Sequence, residues 1–192
     1  MSRQKTFERN AALAAAIGAF ADFGFEGTST ELLTKRMGIG RQSLYDTFGD
    51  KRQLYKEALQ HYCFDSVTAI GASLQADGSP LAAIEATLLH FAERVSDKKL
   101  GGCLGLAATC EFGERDPEIA AIGNAASANL QTALEAIVRR AKALGETAPD
   151  VDPKTAALFL SSSLAGLKIA ARGGATREAL AAIARTAVRC LR

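Results

Sequence analysis

A chain of 192 residues, 48% of them apolar, can bury a hydrophobic core, which excludes an intrinsically disordered protein. The net charge of only +2 does not by itself indicate a nucleic-acid partner. The charge is uneven, however. Residues 1–56 hold nine of the 23 Lys and Arg but six of the 21 Asp and Glu, which leaves fourteen and fifteen for the remaining residues. This placement favours a small basic module that meets a polyanion.

The first predicted helix contains a stretch, AALAAAIGAFA, that follows three basic residues and imitates a signal peptide. Its residues Leu13, Ile17 and Phe20 recur at i, i+4 and i+7, which is the apolar stripe of an amphipathic helix. No run of about 18 apolar residues occurs, so no membrane-spanning helix is predicted. We expect a cytoplasmic protein with no membrane partner.

Helical patterns rich in Ala fill the chain, and alternating β-branched runs typical of strands do not occur. Glycines, prolines and N-capping residues divide the chain into about nine predicted helices. In chain order they cover about residues 5–24, 31–37, 41–48, 51–75, a helix from residue 80 onwards, 103–113, 117–144, 154–172 and 176–191. The expected fold class is therefore all-α.

The second and third predicted helices are joined by Gly38-Ile39-Gly40, which is the spacing of a helix-turn-helix. The turn glycine is expected to take a backbone angle that other residues resist. The apolar residues of the first three helices predict one small shared core: Leu13, Ile17, Phe20, Leu33, Met37, Ile39, Leu44 and Phe48. We expect a three-helix helix-turn-helix domain over residues 1–52 and a C-terminal helical bundle over residues 53–192.

The third helix carries a polar outward face, which a short recognition helix needs in order to show its first residues to base edges. Arg and Gln form bidentate contacts with guanine and adenine, respectively, so Arg41 and Gln42 are candidates for base recognition. Tyr45, Thr47 and Lys51 are placed to reach phosphates. The alternative is a solvated face of an ordinary bundle. Double-stranded DNA is favoured because the helices, the turn glycine and the Tyr and Lys positions agree.

The segment GFEGTSTELLTKRMGIGRQSLYDTFGDKRQLY resembles the N-terminal domain of the TetR/AcrR family of transcriptional regulators. The matching pattern is Gly-Phe/Tyr-x-x-Thr-Ser/Thr, a helix, Gly-Val/Ile, then x-x-x-x-Leu-Tyr-x-x-Phe-x-x-Lys, over about residues 7–55. The resemblance implies a homodimeric regulator, usually a repressor, that a small-molecule effector releases from a palindromic operator. The predicted DNA-contacting residues are Thr28, Thr30, Arg41, Gln42, Ser43, Tyr45, Asp46, Thr47 and Lys51.

Three positions depart from the usual pattern of the family. Thr34 stands where Ala is usual between packed helices, and Gly40 stands where Ser or Thr often caps the recognition helix. Asp46 stands where many members carry an aromatic residue. An acid there would repel phosphate but could accept a hydrogen bond from a cytosine amine. The operator sequence therefore cannot be taken from better-known relatives.

The last two helices are expected, by the same resemblance, to form a four-helix interface across a two-fold axis. The predicted interface residues are Leu158, Leu164, Ile169, Leu180, Ile183 and Val188. The alternative places several of them only in the core of one subunit. A dimer is expected because one short helix covers only a half-site of a palindrome.

The stretch GGCLGLAATCEFGERDPE places Cys103 at a predicted helix start, where free N–H groups and the helix dipole favour a thiolate. Its Gly-Cys-Leu pattern resembles one branch of the family, in which some members respond to oxidants or electrophiles through this cysteine. The alternative is that Cys103 and Cys110 are small buried core residues, and for Cys110 we favour it. Cys63 and Cys190 are expected to be structural or incidental.

An effector pocket is predicted in the larger domain, from residues that are proposed only as a group because any single one is more often core or surface. They are His61, Tyr62, Phe64, His90, Phe91, Cys103, Ala107, Cys110, Glu111 and Phe112. No spacing of His, Cys or Asp completes a ligand set, so neither a metal nor another cofactor is predicted. A hydrolase or thiol oxidoreductase is the disfavoured alternative, since the sequence lacks a Cys-x-x-Cys pair, a Gly-x-Ser-x-Gly elbow and a phosphate-cradling loop.

Overall fold

A computed structural model describes residues 2–75, 77–97 and 102–192, and over these ranges it contains nine α-helices and no strand. The helices are α1 (Ser2–Phe23), α2 (Thr30–Met37), α3 (Arg41–Phe48), α4 (Lys51–Ser73), α5 (Pro80–Ser96), α6 (Leu104–Glu111), α7 (Pro117–Ala143), α8 (Pro153–Arg172) and α9 (Arg177–Arg189). The predicted all-α fold is confirmed, and each predicted bound lies within three residues of the observed one.

Local sequence explains where these helices begin and end. The hydroxyl of Ser29 accepts a hydrogen bond from the N–H of Leu32 at the start of α2. Gly38 follows α2 with a φ of 67°, the left-handed conformation predicted for the turn. Pro80 and Pro153 stand first in α5 and α8, where a missing N–H costs no helical hydrogen bond.

The chain forms two compact units. The first comprises Met1–Asp65 and Gly101–Asn124, and the second comprises Ser66–Leu100 and Ala125–Arg192. Two of the three boundaries, after Asp65 and after Asn124, therefore fall within α4 and α7. The predicted domain boundary at residues 52 and 53 also lies within α4 and stays a prediction.

The core of the first unit joins α1, α2 and α3 to the beginning of α4 and to α6. The predicted shared core is confirmed, since Leu33 and Leu44 are fully buried and Ile17 and Ile39 pack against the cluster. Beside them lies a cluster of aromatic rings in stacked, edge and tilted contacts, with centroid separations of 4.9 to 6.4 Å. Its members are Phe20, Phe25, Tyr55 and Phe112.

The core of the second unit lies among α5, α8 and α9, with the C-terminal part of α7 and the end of α4. Three residues predicted to form the dimer interface belong to this core: Leu164, Leu180 and Val188 expose 3%, 0% and 1% of their surface. That part of the prediction is corrected, because apolar periodicity does not say which of two apolar faces of a helix turns inward. Only three of the six remain available to a partner, and these are Leu158, Ile169 and Ile183.

Candidate nucleic-acid interface

The outward face of α3 is defined by what the helix buries. Leu44 and Phe48 expose 0% and 5% of their surface and anchor one side of the helix in the core of the first unit. Residues four apart share a side of a helix, so the other side points to solvent. The exposed residues of that side are Arg41, Gln42, Ser43, Tyr45, Asp46 and Thr47. These are the six residues of α3 that the sequence predicts to contact DNA.

Two of these exposed residues bond to each other. The side-chain amide nitrogen of Gln42 donates a hydrogen bond to Oδ1 of Asp46 at 2.8 Å, one helical turn away. Gly40 precedes α3 as the N-cap residue and offers no side-chain hydrogen bond, as the sequence predicts. The helix thus begins with backbone N–H groups that no side chain of its own N-cap satisfies.

Basic side chains beside this face lie over aromatic rings. The Lys51 ammonium, at the first residue of α4, lies 4.2 Å from the ring centroid of Phe25. The guanidinium of Arg36, in the last turn of α2, lies 5.6 Å from the ring centroid of Phe23 and 3.4 Å from a carboxylate oxygen of Asp22. Such contacts hold the long side chains in one place while leaving their charge near the surface.

Thr28 does not belong to the exposed set. It is fully buried, and its hydroxyl donates a hydrogen bond to the carbonyl of Gly24 at 2.5 Å. The predicted side-chain contact with DNA is corrected, because this hydroxyl closes the turn after α1 and is already satisfied there. Thr30, the first residue of α2, is half-buried.

Glu111 holds the same turn from the far end of α6. Its carboxylate accepts hydrogen bonds from the backbone N–H groups of Phe25 at 2.7 Å and Glu26 at 3.3 Å. Gly24 has a φ of 72°, and a Cβ built on it would lie 2.4 Å from the Glu111 carboxylate. The positive φ favours glycine, and any larger residue here would also have to displace the Glu111 carboxylate. The sequence assigned Glu111 to a pocket, and a contact across 86 residues leaves no local signal that could have revealed this role.

A group of charged residues joins the start of α4 to the start of α7. The Arg52 guanidinium donates to both carboxylate oxygens of Asp116, at 2.5 and 3.0 Å, and to Glu118 at 3.0 Å. Lys56 donates to Glu118 at 3.1 Å. The hydrogen bond from Arg52 lowers the pKa of the Asp116 carboxyl, and Lys56, followed by Arg52, lowers that of Glu118.

Cys103 is the N-cap residue of α6, as its position in the sequence predicts. Its sulfur accepts hydrogen bonds from the N–H of Leu106 at 3.4 Å and from the hydroxyl of Tyr62 at 3.3 Å, and the residue is half-buried. Cys110 is exposed, which corrects the expectation of a buried core residue. Cys103 and Cys110 are seven residues apart, but they are not equally buried, because one side of α6 is open to solvent.

The other predicted pocket residues are dispersed. His61 pairs with Asp65, with 2.9 Å between Nδ1 and Oδ2, and Phe64 exposes 71% of its surface. His90 belongs to the second unit, where it lines an open cleft of about 810 Å³ together with polar and charged residues of α5 and of the start of α9. Ala107 and Phe112 are half-buried in the first unit, and Phe91 packs against the core of the second. The pocket stays a prediction.

One buried polar atom in the first unit has no partner. The Tyr55 hydroxyl makes no hydrogen bond with any described group, and burial, which is the main cause, raises the pKa of this phenol.

Within residues 2–75, 77–97 and 102–192, no group of three or more His, Cys, Asp or Glu is placed to hold a metal ion. Nor does that part of the chain contain a helix long and apolar enough to cross a bilayer.

Comparison with known proteins agrees with this geometry. The family described as bacterial regulatory proteins, tetR family, matches residues 12–58, and the tetracyclin repressor-like C-terminal domain matches residues 80–188. The uncharacterized HTH-type transcriptional regulator YezE of Bacillus subtilis (strain 168) is 33% identical over 182 residues, covering 94% of each chain. The HTH-type transcriptional repressor ComR of Escherichia coli (strain K12) is 28% identical over 192 residues, covering 97% of this chain and 90% of ComR.

A solved structure extends the likeness to a DNA complex. It holds the TetR family transcriptional regulator CifR, with three cysteines replaced, bound to 26-bp double-stranded operator DNA. This chain is 29% identical to that CifR chain, with a TM-score of 0.83, over 95% of this chain and 96% of CifR.

Proposed function

Because the chain belongs to the TetR family of bacterial regulatory proteins, we propose that it is a homodimeric repressor of a palindromic operator, released by a small-molecule effector in the cytoplasm. Its family makes it a DNA-binding transcriptional regulator and not an enzyme. Repression, the palindrome, the dimer and the effector are the parts that need experiments. We infer repression from the similarity to ComR, which is an HTH-type transcriptional repressor.

The outward face of α3 is the observation that carries the proposal. A helix that buries only Leu44 and Phe48 and exposes six polar side chains is suited to a major groove. Arg41 and Gln42 would read base edges, while Tyr45, Thr47 and Lys51 would contact phosphates. Operator DNA in the CifR complex supports this assignment. The proposed contact set is Thr30, Arg41, Gln42, Ser43, Tyr45, Asp46, Thr47 and Lys51.

The dimer is supported by an exposed line along α8. Leu158 and Ile169 expose 46% and 61% of their surface, and between them Gly166 has open space where a Cβ would stand. Ile183 of α9 is 41% exposed and offers a third apolar side chain. Apolar side chains at the ends of a line with a small residue between them favour close packing of helices. Two subunits related by a two-fold axis would then place two recognition helices on successive half-sites.

Release from DNA requires an effector that prefers a conformation in which the two recognition helices are wrongly spaced for the operator. The effector shifts the balance between the two conformations only by the difference between its affinities for them. The alternative effector is an oxidant or electrophile that modifies Cys103, as in the family branch with the Gly-Cys-Leu pattern. Two observations favour it. The Cys103 sulfur caps α6, where N–H groups stabilise a thiolate, and CifR was studied on operator DNA with cysteines replaced.

The test is a selection of genomic DNA fragments by the purified full-length protein at near-physiological salt, with and without mild oxidant. One enriched palindrome, with affinity that falls as salt rises, is expected of a sequence-specific regulator. If oxidant lowers the recovery of DNA fragments and Cys103→Ser abolishes this effect, Cys103 is the thiol switch. The matched control is Cys190→Ser, at an exposed cysteine in the second unit. Recovery that ignores oxidant points to a small molecule, and absence of any enriched sequence contradicts the proposed function.

A further inference from the structure

We propose that Asp46 is a positioning residue for base recognition: its carboxylate fixes the side-chain amide of Gln42, so that Asp46 and Gln42 read one base pair as a unit. This inference deepens the proposed function and rests on it, because it requires that α3 enters the major groove. It assigns Asp46 a role different from the direct cytosine contact that its acidity alone suggests.

The position of the pair on α3 is the first argument. Each residue turns the helix by about 100°, so Gln42 and Asp46 lie within about 40° of the direction opposite the buried pair Leu44 and Phe48. They therefore form the middle of the outward face, flanked by Ser43 on one side and Tyr45 on the other. Side chains in the middle of that face are the best placed to point at the floor of a groove.

The chemistry of the hydrogen bond is the second argument. An ionised carboxylate can only accept, so the bond of 2.8 Å must come from the NH₂ end of the Gln42 amide. Asp46 thereby decides which end of the amide points along the helix and prevents a flip. Gln42 keeps one N–H donor and one carbonyl acceptor for DNA. Adenine presents the complementary pair in the major groove, an acceptor at N7 and a donor at N6.

Discrimination against guanine follows from the same bond. Guanine presents two acceptors, N7 and O6, and a free amide could turn both of its hydrogens toward them. With one hydrogen held by Asp46, the guanine O6 would face either the amide oxygen or the carboxylate, and both contacts are repulsive. Asp46 thus makes Gln42 a reader of adenine rather than of either purine.

The experiment is a binding selection on a library of palindromes with randomised half-sites, using the full-length protein and its variants. The wild type is expected to enrich adenine at one position of each half-site, and Gln42→Ala is expected to lose that preference. Asp46→Ala is expected to reduce adenine-over-guanine discrimination at the same position by about tenfold or more, because the freed amide can also donate both hydrogens to guanine. The double variant should lose no more than either single one, since the pair acts as a unit.

Two further variants separate positioning from charge. Asp46→Asn removes the charge and can still accept from Gln42, but its own NH₂ group can also donate to the Gln42 carbonyl, so it should keep only part of the adenine preference while binding all sequences more tightly. Glu31→Gln removes one charge from an exposed residue of α2 and should leave every base preference unchanged. All substituted side chains are exposed, and equal thermal midpoints will show that the variants fold alike.

Several outcomes would overturn the inference. An adenine preference that survives intact in Asp46→Ala would show that Asp46 does not position Gln42. An effect of Asp46→Ala at a different base pair, additive with that of Gln42→Ala, would make Asp46 an independent reader. A Gln42→Ala profile identical to the wild type would also overturn it. If the wild type enriches no sequence at all, the proposed function itself fails, which is a different result from a palindrome whose adenine ignores Asp46.

Discussion

α3 and α6 are both eight-residue helices of the first unit, and each buries two residues four positions apart. They differ in what their polar groups bond to. In α6 the N-cap sulfur of Cys103 and the carboxylate of Glu111 are both engaged, one with Tyr62 and the other with the turn after α1. In α3 the N-cap Gly40 offers no side-chain hydrogen bond, and the two central polar side chains, Gln42 and Asp46, bond to each other.

α6 therefore links parts of its own chain, whereas α3 keeps polar groups available to a partner. Eight residues are too few for a helix to be stable alone, so both depend on the core that anchors them. Burial therefore cannot tell the two apart. The hydrogen bonds at the ends and on the outward face do so, because Glu111 is bonded to a distant turn of the chain, whereas Gln42 keeps one N–H and its carbonyl oxygen for a partner.

The largest expected effect tests what the two helices share. Leu44→Ala in α3 and Leu104→Ala in α6 each remove a fully buried side chain, and each should lower the free energy of unfolding by about 2–5 kcal/mol. Urea denaturation of both variants measures the loss. Leu144→Ala, at a leucine that is 66% exposed, is the control and should change stability by less than about 0.5 kcal/mol. A loss confined to one helix would show that they are not anchored alike.

The second prediction tests the far end of α6. Glu111→Ala leaves the N–H groups of Phe25 and Glu26 without their carboxylate and should cost about 1–3 kcal/mol of unfolding free energy, less where water reaches them. Glu114→Ala, at an exposed neighbour, is the control. Thermal unfolding of the full-length protein measures both.

Gly24→Ala sharpens the same test, because the new methyl group would collide with the Glu111 carboxylate at a glycine with φ of 72°. The left-handed conformation alone should cost about 1–2 kcal/mol, and the collision adds to it. In the Glu111→Ala background the collision disappears, so Gly24→Ala should cost less there. Equal costs in both backgrounds would mean that the carboxylate does not occupy the turn.

The third prediction concerns pH and the charged group at the start of α7. The pKa of Asp116 is lowered from its ordinary 3.8 by Arg52, so its ionisation stabilises the fold above that value, and this stabilisation is lost as pH falls through the lowered pKa. Asp116→Asn should therefore lower the thermal midpoint at pH 7, and the gap to the wild type should close as the solution becomes more acidic than pH 3.8. Oδ1 of Asp116 also accepts a hydrogen bond from the N–H of Ile119 in the first turn of α7 at 3.2 Å. Asparagine can accept the same bond, so loss of the helix cap is not the cause.

Asp150→Asn, at an exposed carboxylate before α8, is the control for general charge effects. If the thermal midpoints of Asp116→Asn and the wild type differ by the same amount at pH 7 and below pH 3.8, the difference does not have an electrostatic origin. It would point instead to altered packing around α7.

The sequence predicted only part of the difference between α3 and α6. Periodicity and capping residues located both helices to within two residues and identified the exposed face of α3, because these signals are local. The role of Glu111 was missed, and the burial of Leu164, Leu180 and Val188 in the core of one subunit was only the alternative, because both depend on which distant segment packs against a helix. Thr28 was misassigned for a related reason: a hydroxyl near a helix start can turn outward to a ligand or inward to a carbonyl.

The smallest expected effect concerns the start of α3. Gly40→Ser would supply the missing cap: the backbone there is extended, with φ of −72°, and a Cβ would meet nothing closer than 4.0 Å. Serine should stabilise the helix by a few tenths of a kcal/mol. Hydrogen exchange of the α3 amides measures the gain. Gly38→Ser is the matched control, since the positive φ of Gly38 makes the same change cost about 1–2 kcal/mol. If Gly40→Ser stabilises the protein yet weakens operator binding, the free N–H groups at this helix start belong to the interface, and the open end of α3 is part of how it meets DNA.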